Sequence, residues 1–385
     1  MHGTTIFFRR FSLSILFPVF SIFAFSQLSK NYTNSEIFEY QWDSAIENHK
    51  DTTLNRYEID GKQRGMHLFW HSEMSKDHFA QLLKNNIEWI TIVPYAGQED
   101  YKSTSLGRRG KDYTGWSRRD SSFMTCIDSL KGKGFHIMIK PHIWLFNSSN
   151  GKWRSDISHS DEEDWKTWSK SYAEFILHYA KMSELLDADI FCLGTELHQT
   201  VKDHPKFWSQ LIKDVRNIYN GKITYAANWN EEVEDVSFWS ELDFIGIQAY
   251  YPLTKKDDPS VKELLSGWKS HVQQIEKIHN KYNKPVLFTE IGYKSTTDAA
   301  IEPWQWADGL SNLITKVSNR TQANCYEAFF RTFWKEEWFA GVHFWQWHAR
   351  HEPSRGQGSI NFTPQQKPAE NIMAKWFSKF GKKSN

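Results

Sequence analysis

From residue 63 onward the hydrophobic positions fall into one recurring pattern: a short apolar run, a polar turn, then a longer stretch with apolar residues at i, i+3 and i+4. The short runs predict strands, and the longer stretches predict amphipathic helices that pack on them. Strands are expected over Arg64–Phe69, Trp89–Tyr95, His136–Trp144, Ile190–Glu196, Ile223–Trp229, Phe244–Tyr250, Val286–Glu290 and Val342–Trp347. Helical spacing marks Lys76–Lys84, Ser122–Gly132, Asp161–Leu186, Pro205–Tyr219, Ser260–Tyr282, Ala323–Trp338 and Ala369–Phe380. Eight strands alternating with helices predict an α/β fold of the (β/α)8 barrel type, a single catalytic domain over residues 61–381. A doubly wound open sheet is the alternative, but Phe69-Trp70-His71-Ser72 stands where its Gly-rich phosphate turn would follow the first strand.

Two of the apolar runs end on a carboxylate that a core cannot accept. Pro285-Val286-Leu287-Phe288-Thr289-Glu290 and Asp189-Ile190-Phe191-Cys192-Leu193-Gly194-Thr195-Glu196 each deliver a glutamate at the C-terminal end of a strand. In a barrel that end is where active sites are built. The same rule collects His142 and Trp144 from the third strand, Asn228 from the fifth, Tyr250 from the sixth, Trp345 and Trp347 from the eighth, and Trp70 just past the first. Two glutamates three strands apart in an eight-membered ring point inward from nearly opposite walls. Such a pair suits glycoside cleavage: a gap of about 5 to 5.5 Å between carboxyl groups gives retention, and about 6.5 to 9.5 Å leaves room for water and gives inversion.

Lys140-Pro141-His142 on strand three, Glu196 on strand four, Tyr250 on strand six, Glu290 on strand seven and Trp345-Gln346-Trp347 on strand eight together resemble the retaining glycoside hydrolases of clan A. Cys192-Leu193-Gly194-Thr195-Glu196-Leu197 and Phe288-Thr289-Glu290-Ile291-Gly292-Tyr293 resemble glycoside hydrolase family 113, known for β-1,4-mannanases, over about Arg64 to Phe380. The resemblance implies Glu196 as general acid/base and Glu290 as nucleophile. The acid then needs an apolar or like-charge setting and the nucleophile needs donors, for which Tyr250 is the candidate. His142 and Asn228 would hold sugar hydroxyls, and Trp345 or Trp347 would floor the ring, with Trp70 and Trp144 as further stacking faces. Two positions depart from the clan pattern: Thr195 replaces the usual Asn before the acid/base, and Gln248 replaces a frequent His on strand six. The implied substrate is β-1,4-mannan or manno-oligosaccharide, with endo action favoured. The alternatives are a β-glucan or other hemicellulose, and a carbohydrate-binding barrel without turnover.

Composition is consistent with this reading. The chain of 385 residues carries 47 Lys+Arg against 46 Asp+Glu, so no charge excess points to nucleic acid or an anionic membrane. Its 19 Trp and 15 Tyr supply flat faces for sugar rings or simply fill a core. Cys126, Cys192 and Cys325 lack metal-ligand spacing, and the 16 His include no H-E-x-x-H pair, so neither a metal nor a cofactor is expected. Asp161-Glu162-Glu163-Asp164 suits the positive end of a helix better than a calcium site. At the N-terminus, Arg9-Arg10, an apolar stretch from Phe11 to Phe25 and small residues at Ala24 and Ser26 predict a secretory signal over residues 1–26, with an uncleaved anchor as the alternative. Residues 27–60 form a polar lead-in. The mature chain is then expected outside the cytoplasm or in a periplasm, as a monomer without membrane insertion.

Overall fold

The computed structural model describes residues 55–69, 76–107, 117–148, 151–306, 316–349, 356 and 358–381. The expected signal (1–26) and residues 27–54 of the lead-in lie outside the described residues. Eight parallel strands close a barrel: β1 (Gln63–Phe69), β2 (Trp89–Ile92), β4 (His136–Ile139), β6 (Ile190–Thr195), β7 (Lys222–Asn228), β8 (Ile245–Gln248), β9 (Val286–Ile291) and β10 (Phe339–His348). Around the ring the order is β1-β10-β9-β8-β7-β6-β4-β2. This is the (β/α)8 barrel that the periodicity predicts. Its strands are buried on both faces, which is why they read as continuous apolar runs and not as alternation.

Two expected strands are each divided. Trp89–Tyr95 becomes β2 followed by β3 (Tyr95–Gln98), and His136–Trp144 becomes β4 followed by β5 (His142–Leu145). Pro94 and Pro141 stand at the breaks, and proline cannot donate to a ladder. Beyond them β3 and β5 pair as a separate two-stranded sheet, in register Tyr95 with His142 and Gly97 with Trp144. This small sheet rises above the barrel rim and carries His142 and Trp144 to the mouth.

Helix boundaries follow local chemistry. The 24-residue helix Glu162–Leu185 starts where the Asp161 carboxylate accepts the N–H groups of Glu163 and Asp164, so that carboxylate serves as the N-cap. Val261–Tyr282 opens with a Ser260/Glu263 capping box and stops at Asn283, which takes the left-handed conformation. The outer core between helices and barrel is aromatic: Phe288 of β9 packs against Trp268, Phe329, Phe333 and Phe339, each fully buried ring contributing roughly 1.5–3 kcal/mol. At the N-terminal ends of the strands Trp89, Met138, Ile190, Phe244 and Leu287 form an apolar layer. Tyr57, from the short helix Arg56–Asp60, sits edge-on to Trp89 at 4.8 Å and covers that layer. The barrel's packing therefore begins several residues before position 61.

Beside and above this layer the barrel interior is polar. His343 bonds to Thr91 and Gln63, His67 Nε2 donates to the Thr289 carbonyl at 2.9 Å, and Gln248 accepts from Lys140 and Thr289. The apolar layer thus gives way to hydrogen-bonded groups, which toward the rim form a polar floor. Among the described residues no helix is long and apolar enough to cross a membrane. All three cysteines are buried and unbridged.

Candidate active site

The rim above the polar floor opens into a cleft of about 1250 Å³. Glu196 and Glu290 both line it, together with His142, Trp144, Asn228, Tyr250 and Trp345 from the expected set. Trp70 lies outside the described residues. Trp347 is placed elsewhere: it is only 1% exposed and does not line the cleft. The reason is register. Between the pairs Met66/Phe344 and Leu68/Trp347, β10 spends three residues where β1 spends two. The extra residue changes the parity of the strand, so the alternation that would put Trp345 and Trp347 on one face fails.

The same device serves both glutamates. β9 advances from Phe288 to Glu290 while β8 advances from Ile247 to Gln248, and β6 advances from Cys192 to Thr195 while β7 goes only from Thr224 to Ala226. Each glutamate thus follows an extra residue that re-aims the strand end. A further irregularity falls at Gly341, whose φ is +129 and where an added Cβ would lie 2.3 Å from Gln63 N. Only glycine fits there.

Glu290 is fixed by barrel strands. Lys140 Nζ, fully buried, donates to Oε2 at 2.6 Å, and the Tyr250 hydroxyl donates to Oε1 at 2.6 Å. Burial pushes the Glu290 carboxyl up, but the Lys140 ammonium outweighs it and the group is held well below the usual carboxylate range. His67 Nε2 stands 3.9 Å from Oε2. Burial and the nearby Lys140 push this imidazole down to about 3, so it is neutral at working pH. Gln248, where the clan resemblance implies a frequent His, supports Lys140 through its side chain at 2.9 Å and meets Tyr250 through the backbone, where the Tyr250 N–H donates to the Gln248 carbonyl at 3.1 Å.

Glu196 is held differently. Its backbone sits at φ +54, in the left-handed region. Oε2 accepts from Trp153 Nε1 at 3.1 Å and Arg154 Nε at 3.3 Å, both in the segment around the 3-10 turn Arg154–Asp156. Arg154 Nη1 also donates to His142 Nδ1 at 3.0 Å, which leaves the imidazole proton on Nε2. Burial first, and Arg154 second, push His142 well below its ordinary value. An apolar or like-charge setting was expected at Glu196; a guanidinium stands there instead, with the Glu232 carboxyl behind it. Burial raises Glu232 to about 8, the Tyr225 and Asn228 donors oppose that, and the charge of Glu196 adds to it. Thr195 is buried with its hydroxyl 3.5 Å from the Pro141 carbonyl and does not line the cleft.

Several cleft residues escape a reading by strand ends. Trp153, Trp304, Trp306, Phe146 and Phe362 line the walls from outside the expected strands, alongside Phe69 and Trp229, which end expected strands one and five; Trp144 is 50% and Trp306 60% exposed. Trp229 and Trp304 stack at 5.4 Å. These rings come mostly from loops, where periodicity carries no signal. Lys140 was readable: a lysine ending an apolar strand raises the same question as a glutamate does. Among the described residues no group of three or more His, Cys, Asp or Glu could hold a metal ion.

The comparisons with known proteins bear on the fold and the family. No curated protein matches the chain. Among solved structures, a GH113 β-1,4-mannanase superposes with a TM-score of 0.70 at 23% identity, over 83% of this chain and 99% of the other. The GH113 β-mannanase AaManA from Alicyclobacillus acidocaldarius, in complex with ManMIm, gives 0.69 at 24%, over 83% and 97%. A β-glucuronidase from Ruminococcus gnavus gives 0.53 at 14%, over 82% of this chain and 50% of that one. At these identities the likeness is one of fold. The model of Glycoside Hydrolase Family 113 matches residues 61–358, more than half of the sequence, and the chain belongs to that family.

Proposed function

We propose that this family 113 member is an exported retaining β-glycosidase that cleaves β-1,4-mannan or manno-oligosaccharides, with Glu290 as nucleophile and Glu196 as general acid/base. The observation that carries the reading is the setting of Glu290, a buried carboxylate gripped by Lys140 and Tyr250 at 2.6 Å each, opposite a second glutamate in one aromatic cleft. A carboxylate kept ionised in a dry site is prepared to attack an anomeric carbon. Glu196, in the cleft beside Trp153, would protonate the leaving oxygen and then activate water for the second displacement. Trp345 and the loop tryptophans would stack on sugar faces, while His142 Nε2 and the Asn228 amide would bond hydroxyls. With Thr195 turned away from the cleft, the 2-hydroxyl takes its partner from these groups and not from the position before the acid/base. The mannan preference is supported by the β-mannanases of the same fold that match over 83% of the chain.

A fluorosugar with a good leaving group tests the chemistry, because 2-fluorination slows the second displacement and lets the glycosyl-enzyme accumulate. Incubation with 2-deoxy-2-fluoro-β-mannosyl fluoride should add one sugar mass to the peptide holding Glu290. Label on another residue, or none while mannan is being hydrolysed, would remove the assignment. Digestion of mannan, cellulose and xylan side by side fixes the substrate: turnover of cellulose or xylan with mannan untouched would move it. Export is supported by the Arg9-Arg10 and apolar 11–25 leader. Sequencing the N-terminus of protein recovered outside the cell should begin after Ser26, and an intact leader would instead mark an anchor.

A further inference from the structure

Glu196 has a backbone conformation that a side chain bearing a Cβ disfavours, at φ +54. Local sequence does not account for it, since the helix that follows, His198–Asp203, has Leu197 as its N-cap and no side-chain capping bond. The support comes from the neighbouring stave. The Glu196 N–H donates to the Ala226 carbonyl at 2.9 Å, and the Leu197 N–H donates to the Tyr225 hydroxyl at 2.8 Å. Both amides flanking the Glu196 Cα are therefore pinned to β7. The Tyr225 hydroxyl, having accepted from Leu197, donates to Glu232 Oε1 at 2.5 Å, and Glu232 Oε2 accepts the Asn228 N–H at 2.8 Å. Glu232 and Tyr225 are both fully buried, and neither lines the cleft. A carboxyl in that place is costly unless it is bonded, and these two donors are what it holds.

We infer that Tyr225 and Glu232 are positioning residues for Glu196: the Glu232–Tyr225–Leu197 chain of hydrogen bonds locks the strained backbone that aims the acid/base carboxyl at the leaving oxygen. The inference rests on the acid/base role proposed for Glu196. Its mechanism is geometric. Without the tyrosine hydroxyl the Leu197 amide has no partner, the Glu196 φ is free to relax, and a carboxyl displaced by a fraction of an ångström transfers its proton poorly. The nucleophile, held from β4 and β8, is not reached by this chain of bonds.

Leaving-group dependence separates positioning from general damage. A dinitrophenolate departs without a proton, so a fault confined to the acid disappears when 2,4-dinitrophenyl β-mannobioside replaces a manno-oligosaccharide. For Tyr225→Phe, kcat/KM on mannohexaose should fall at least tenfold and on the dinitrophenyl substrate less than threefold. Glu232→Gln should show the same asymmetry, and where it fails to fold, Tyr225→Phe alone decides the matter. Equal losses on the two substrates, or no loss on either, would overturn the inference. Glu196→Ala run alongside tests the reading beneath it. Asymmetry there but not in Tyr225→Phe removes only the positioning role, whereas symmetry in Glu196→Ala removes the acid/base role itself.

Discussion

The two rim glutamates end strands of the same build and meet opposite surroundings. Glu290 is held from the barrel itself, by Lys140 just past β4 and Tyr250 just past β8, with His67 of β1 nearby. Among the described residues, Glu196 is held at its carboxyl by Trp153 and Arg154, around a 3-10 turn, at 3.1 and 3.3 Å. Its backbone, by contrast, is the strained one of the two, at φ +54. A nucleophile must keep one charge state and one position through both displacements, and rigid staves supply that. An acid/base must gain and lose a proton in every cycle, so weaker partners on a loop above a fixed backbone suit it.

The comparison breaks most readily at Lys140. Lys140→Met leaves a buried carboxylate without its cation, which costs about 3–5 kcal/mol for a pair of this kind; borne by the ionised nucleophile, that loss corresponds to roughly a hundredfold to several thousandfold in kcat/KM. The sign of the accompanying pH effect follows from the native balance. Burial raises the Glu290 carboxyl and Lys140 lowers it; without the lysine, burial prevails and ionisation requires higher pH. The acid limb of the kcat/KM profile should therefore move to higher pH. An unmoved limb would mean that Lys140 is not what keeps Glu290 charged.

A smaller effect is expected on the loop side. Trp153→Phe removes the indole donor to Glu196 but keeps an aromatic face, and a hydrogen bond to a charged group is worth about 1.5–3 kcal/mol when its partner has no substitute. Arg154 is such a substitute at the same oxygen. The loss in kcat should thus stay within about tenfold by steady-state kinetics. A loss as large as that of Lys140→Met would show the loop contact to be as rigid as the stave contacts, and the contrast between the two glutamates would fail.

What the sequence determined by itself is the scaffold and its chemical inventory. Two-sided burial makes barrel strands continuous apolar runs, so they can be counted, and a carboxylate ending such a run stands out because a core does not tolerate it unpaired. That reasoning reached Glu196, Glu290, Tyr250, His142 and the (β/α)8 order. The division of two strands at Pro94 and Pro141 was visible as residues, yet its consequence was not, because a separate sheet exists only through the pairing of β3 with β5. Tertiary structure decided the rest. Whether Trp345 or Trp347 faces the cleft depends on one extra residue in β10 relative to β1, a relation between strands that a single strand's alternation cannot encode. The loop tryptophans, Arg154 beside Glu196 and the buried Glu232 behind it are long-range juxtapositions, set by where the closed barrel brings its loops, and hydrophobic periodicity reports only local order.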